Sequence, residues 1–121
     1  MLITIAKLLP ILCIIESGNN PLAVGDNGKA VGILQIHKCV VDDVNRVYGT
    51  NFTYADRTYE YASKYMATLY LAYWGRRYMI LTGKEPDEEV LSKLWNGGPT
   101  GYDRDSTNKY WEKVKKELNK R

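Results

Sequence analysis

The chain has 121 residues, enough for one domain by the usual size of about 100–200 residues. At 45% apolar and 26% charged it falls on the globular average, which excludes disordered and fibrous classes. Seventeen basic against fourteen acidic side chains give +3, too weak an excess to argue for nucleic acid, though compatible with an acidic polymer. No stretch of about 20 apolar residues occurs, so no membrane span is expected.

Residues 1–15 are apolar but do not read as an export signal. Lys7 interrupts the run, no basic segment follows Met1, and no small-residue cleavage site appears. Leu8, Leu9, Leu12 and Ile15 instead recur at helical spacing, with Pro10 expected to set the helix start there or slightly earlier. Residues 18–32 hold four glycines, three asparagines and Pro21, which predicts a loop with a short hairpin at Asp26-Asn27-Gly28. Apolar periodicity resumes over 33–47 and stops at Gly49, and residues 50–57 are polar and turn-like. The longest helical signal runs from Tyr59 to Leu81, with Ala62, Tyr65, Met66, Leu69, Tyr73 and Ile80 on one face and Gly83 as the cap. Pro86-Asp87 opens a further helix through Val90, Leu91, Leu94 and Trp95, stopped by Gly97-Gly98-Pro99. A last helix starts near Ser106 or Thr107 and carries Tyr110, Trp111, Val114 and Leu118. Strand signals are few, so the fold class is α+β, predominantly helical, in a single domain over 1–121.

Cys13 and Cys39 are the only thiols and belong to no CxxC pair, so neither a metal nor a cofactor is expected. Both sit among Ile, Leu and Val and read as small buried apolar residues, with a bond between them left open. His37 is the sole histidine, and without a GxSxG-type elbow it is not expected to serve as a catalytic base. Six of the ten tyrosines (Tyr54, Tyr59, Tyr61, Tyr65, Tyr70, Tyr73) fall within twenty residues, and core packing is the favoured reading for them.

Glu16 differs from the other glutamates. It ends an apolar helix and is followed by the glycine loop, the setting either of a helix-terminal Glu hydrogen-bonded to loop amides or of a carboxyl facing a cleft from a low-dielectric wall. Downstream come Gly32-Ile33-Leu34-Gln35, Asn96-Gly97-Gly98-Pro99 and Tyr110. With Glu16-Ser17, these four pieces in this order resemble the soluble lytic transglycosylases and goose-type lysozymes of the lysozyme-like fold, over about three quarters of the chain. Two departures stand out: Leu34 replaces the family's methionine, and His37 stands where goose-type lysozymes carry an acid.

The resemblance implies a peptidoglycan-degrading muramidase that cuts the β-1,4 bond between N-acetylmuramic acid and N-acetylglucosamine. Glu16 would protonate the leaving oxygen, then take the proton of the sugar 6-hydroxyl, closing a 1,6-anhydro ring as a lytic transglycosylase does. Tyr110 would orient Glu16, and Gln35, Asn96, Gly97 and Ile33 would line the substrate groove between the 18–32 lobe and the later helices. Ser17 would either cap the loop or assist Glu16. Asp26 leaves two routes open. It is either turn chemistry or the carboxylate of an inverting hydrolase that holds water, about 6.5–9.5 Å from the acid. Two other classes compete: an inactive glycan-binding module, and a basic surface binder resting on residues 105–121. The partners expected are peptidoglycan glycan strands, with no nucleic acid, for a monomer acting on the bacterial cell wall. A phage-type lysis enzyme or a module of a longer chain fits the compactness.

Overall fold

A computed structural model describes all of residues 1–121 and is predominantly helical. Five α-helices, α1 (Leu2–Ser17), α2 (Lys38–Tyr48), α3 (Glu60–Thr82), α4 (Glu88–Gly97) and α5 (Asn108–Asn119), accompany one antiparallel pair, β1 (Val24–Gly25) and β2 (Ala30–Val31). No helix is long and apolar enough to cross a membrane. The contacts divide the chain into two compact units, Met1–Leu12 with Leu71–Arg121, and Cys13–Tyr70.

In the first unit Ile5, Leu8, Ile11 and Leu12 of α1 are buried, as are Leu91 and Leu94 of α4 and Val114 of α5. Each such side chain stabilises by about 1.5–3 kcal/mol relative to exposure. α1 starts at Leu2, eight residues before Pro10, which corrects the expected start. Pro10 removes the N–H that would bond the Ala6 carbonyl. Ala6 and Pro10 are both exposed, so solvent can satisfy that carbonyl, and the helix continues through Pro10. α4 is capped by Asp87, whose carboxylate accepts from Val90 N at 2.9 Å. Between α4 and α5 two short 3-10 turns (Gly101–Asp103 and Asp105–Thr107) pack tightly. The buried Thr107 hydroxyl is shared between the carbonyls of Gly101 and Arg104, both at 2.8 Å.

In the second unit the hairpin turns through Asp26–Gly28, with Asp26 and Asn27 at φ 49° and 54°. The expected hairpin is therefore present, in the left-handed turn that Asp and Asn tolerate. The apolar periodicity of 33–47 covers more than one element: α2 begins only at Lys38. Residues 32–36 instead form a tight turn closed by Val31 N to Ile36 O (3.2 Å) and Ile36 N to Val31 O (3.0 Å). Ile33, Leu34 and Ile36 of this turn are buried, so the apolar pattern extends beyond the helix that follows. Gly49 ends α2 in the left-handed conformation, donating to Asn45 O at 2.9 Å.

The α3 face is also corrected. Its buried stripe is Ser63, Met66, Ala67, Tyr70 and Leu71, one position away from the tyrosine-bearing face read from the sequence. Tyr65 and Ile80 are exposed, and of the six clustered tyrosines Tyr54, Tyr59, Tyr61 and Tyr65 face solvent, Tyr61 at 84%. Only Tyr70 is buried, and burial pushes its phenol up to about 12.

Both cysteines are free, but only Cys13 is buried; Cys39 is exposed, correcting the paired-burial reading. Burial pushes the Cys13 thiol up, which suppresses its thiolate. An aromatic disulfide reagent is therefore expected to titrate one thiol in the native protein and the second only in denaturant. Two fast thiols in native buffer would contradict this burial.

Candidate active site

Glu16 lies in the last turn of α1, partly exposed, immediately before a sharp reversal of the chain. That reversal is set by Gly18 and Asn19, both at positive φ, and by Gly18 N to Ile14 O and Asn19 N to Cys13 O bonds of 2.9 and 3.2 Å. Ser17 fastens it. Its hydroxyl donates to Ile33 O at 2.7 Å and accepts from Asn20 N at 3.0 Å, with Cys13 O a longer neighbour at 3.2 Å. The hydroxyl thus ties the end of α1 to the 32–36 turn, which holds the backbone that carries Glu16.

Gln35 is bound inside the protein. Its Nε2 donates to Ala23 O at 3.1 Å and Gly32 O at 3.0 Å, so both amide hydrogens are consumed. Its Oε1 lies under Gly25, where a Cβ would approach it to 2.5 Å. Gln35 is a strut beneath the hairpin, holding the strand that leads into Asp26, and only its carbonyl oxygen is left for a ligand. Ile33, expected to line the groove, is 1% exposed, and its carbonyl is taken by Ser17. It belongs to the core, because the turn rolls its side chain inward. The substrate-lining expectation for Ile33 is corrected accordingly.

Asp26 occupies the hairpin tip. Its backbone carbonyl accepts from Lys29 N at 3.1 Å, while its carboxylate points to His37, Oδ2 to Nε2 at 3.3 Å. Asn27, Gly28, Lys29, His37, Lys38 and Cys39 line an open groove of about 380 Å³ here.

The sequence reading missed Arg57. It is buried, yet no carboxylate pairs with it. Its Nε donates to Tyr54 O at 2.8 Å, and one terminal nitrogen to Ile36 O at 2.9 Å and Lys29 O at 3.3 Å. Charge-assisted bonds to carbonyls of this kind contribute about 1.5–3 kcal/mol each. They fix the start of β2 and the end of the 32–36 turn to the 54–58 turn, so Arg57 braces the segment between Asp26 and His37. No motif marks such an arginine in advance. Tyr54, whose ring lies 5.6 Å from the guanidinium and 4.9 Å from Lys38 Nζ, donates its hydroxyl to Asp42 at 2.8 Å.

Asn96, Gly97 and Tyr110 belong to the first unit. Asn96 is exposed near the C-terminal end of α4, and Tyr110 is partly exposed in the first turn of α5. Gly97 is constrained by packing: a Cβ there would stand 2.6 Å from Thr107 Cγ2. Glu16, Ser17, Asp26, Ile33 and Gln35 all belong to Cys13–Tyr70, where Ser17 ties the end of α1 to the 32–36 turn and Gln35 underlies the hairpin.

A lysozyme of Magallana gigas is 31% identical to the chain over 105 residues, which are 85% of this chain and 72% of that protein. The chain belongs to the lysozyme family. No family model matches it. As a lysozyme-family member it has the expected predominantly helical fold with one small sheet.

Proposed function

We propose that this lysozyme-family chain is a peptidoglycan muramidase that hydrolyses the β-1,4 bond after N-acetylmuramic acid. Glu16 is the general acid and Asp26 the carboxylate that handles water. The C1–O4 bond breaks with its electron pair on O4, which takes the proton of Glu16. Water forms the new bond to C1 and gives its proton to Asp26. Asn96 and Tyr110 are proposed to serve the same reaction as substrate-binding and orienting groups, and residues 1–121 to be one catalytic domain working on cell-wall glycan.

The observation that carries the hydrolytic route is the Asp26 carboxylate. Had Asp26 served only the turn, its side chain would bond a nearby backbone amide. Instead the turn is closed by its backbone carbonyl, and the carboxylate is turned outward toward His37. The transglycosylase route expected from the sequence needs no second carboxylate, so Asp26 separates the two. Asp26→Asn is expected to lower the rate of release of soluble fragments from purified peptidoglycan by about 10²-fold or more, with the melting temperature unchanged. Wild-type rates with 1,6-anhydro ends from that variant would establish the transglycosylase instead. Retention on peptidoglycan with no fragments from the wild type would make the chain a binding module.

A further inference from the structure

We propose that His37 is a positioning residue for Asp26, and that its positive charge adds to wall-cleaving activity on the acidic side of neutrality. The inference rests on the reading of Asp26 as the water-handling carboxylate. His37 stands at the N-cap position of α2 but makes no capping bond from its side chain, so its ring is not spent on the helix. Its Nε2 lies 3.3 Å from Asp26 Oδ2, with both side chains part exposed. The imidazole therefore has one polar partner, the carboxylate at the hairpin tip.

Two restraints give this pair a defined geometry. The Asp26 backbone is held at φ 49° in the hairpin turn, over the Gln35 strut. The His37 backbone follows directly on Ile36, whose carbonyl is held by Arg57. What remains free is rotation of the Asp26 carboxylate, and the imidazole 3.3 Å from Oδ2 favours one rotamer and leaves Oδ1 for water.

The other groups facing the pair are Lys29 from the turn, Lys38 and Cys39 from α2, and Arg57 behind them. Lys38 is engaged over the Tyr54 ring, and Arg57 is spent on carbonyls. Among side chains, imidazole is the one whose charge ordinarily changes between about pH 5 and 8. Protonated, His37 binds the carboxylate by a charge-assisted bond roughly twice as strong as a neutral one. A neutral imidazole makes the weaker pair, in which Asp26 rotates more freely. Whatever pH dependence the acid step carries is common to every variant, so ratios between variants isolate His37.

The test compares wild type, His37→Gln and His37→Lys on soluble peptidoglycan fragments from pH 5 to 8.5, after thermal melting shows each folded. The expected kcat of wild type over His37→Gln is about two- to fivefold at pH 5 and near one at pH 8.5, with KM unchanged. His37→Lys keeps its advantage over His37→Gln at both ends, because an ammonium persists. In an Asp26→Asn background the His37 effect disappears, as coupled residues require. A ratio independent of pH, or the same His37 effect without Asp26, overturns the proposal. If instead Asp26→Asn alone is fully active, the reading of Asp26 fails first.

Discussion

Replacing Glu16 by Gln is expected to leave the fold intact and to abolish wall-degrading activity. The amide keeps the size and hydrogen-bonding reach of the carboxyl but carries no proton that it can transfer to O4. General acid catalysis alone contributes about 10²–10⁴-fold, and the loss should reach at least the upper part of that range, because no other acid is proposed to reach the leaving group. Stability should change little. The backbone at Glu16 is held by Ser17, Gly18 and Asn19 through bonds that do not involve the glutamate side chain. Turbidity clearing of cell walls paired with thermal melting checks both halves. Activity within tenfold of wild type would remove Glu16 from the mechanism.

The largest stability effect is expected at Gly32. Its φ is 90°, and an added Cβ would overlap the carbonyl oxygen of Arg57, which the Ser63 hydroxyl already holds at 2.9 Å. Neither neighbour can retreat: Ser63 is fully buried and the Arg57 side chain is anchored on three carbonyls. Gly32→Ala therefore combines positive-φ strain with a backbone clash, and should cost at least about 4 kcal/mol. For a chain of this size that lowers the melting temperature by on the order of 15 °C. Gly28 is the control. It has nearly the same φ, 88°, with open space where the Cβ would go, so Gly28→Ala should cost only about 1–2 kcal/mol. Equal losses at the two sites would show that the Arg57 carbonyl is not a wall of the hairpin.

The contrast between these glycines marks what the sequence could reveal. Both read as loop glycines, and the difference lies in an arginine carbonyl 25 positions away. Helix ends were legible wherever a local device sets them: Gly49 and Gly83 stop α2 and α3, and Asp87 caps α4. The Asp26-Asn27-Gly28 hairpin was legible for the same reason. Errors came where burial, not local chemistry, decides. The α3 face was read one position out because tyrosine counts as apolar by composition, whereas Ser63, polar by composition, occupies the core on the strength of one hydrogen bond to Arg57. At the site, Glu16 and Asp26 could be singled out by context. The parts of Ser17, Gln35 and Arg57 could not, since each is defined by carbonyls that only the fold brings within reach. His37 read as a bland lone histidine until Asp26 stood beside it.

The most direct measurement is mass spectrometry of fragments released from purified peptidoglycan in water enriched in ¹⁸O. The account predicts muramic acid at newly formed reducing ends, each carrying one heavy oxygen from the attacking water. Unlabelled 1,6-anhydro ends, or no fragments at all from active-site-intact protein, would contradict it.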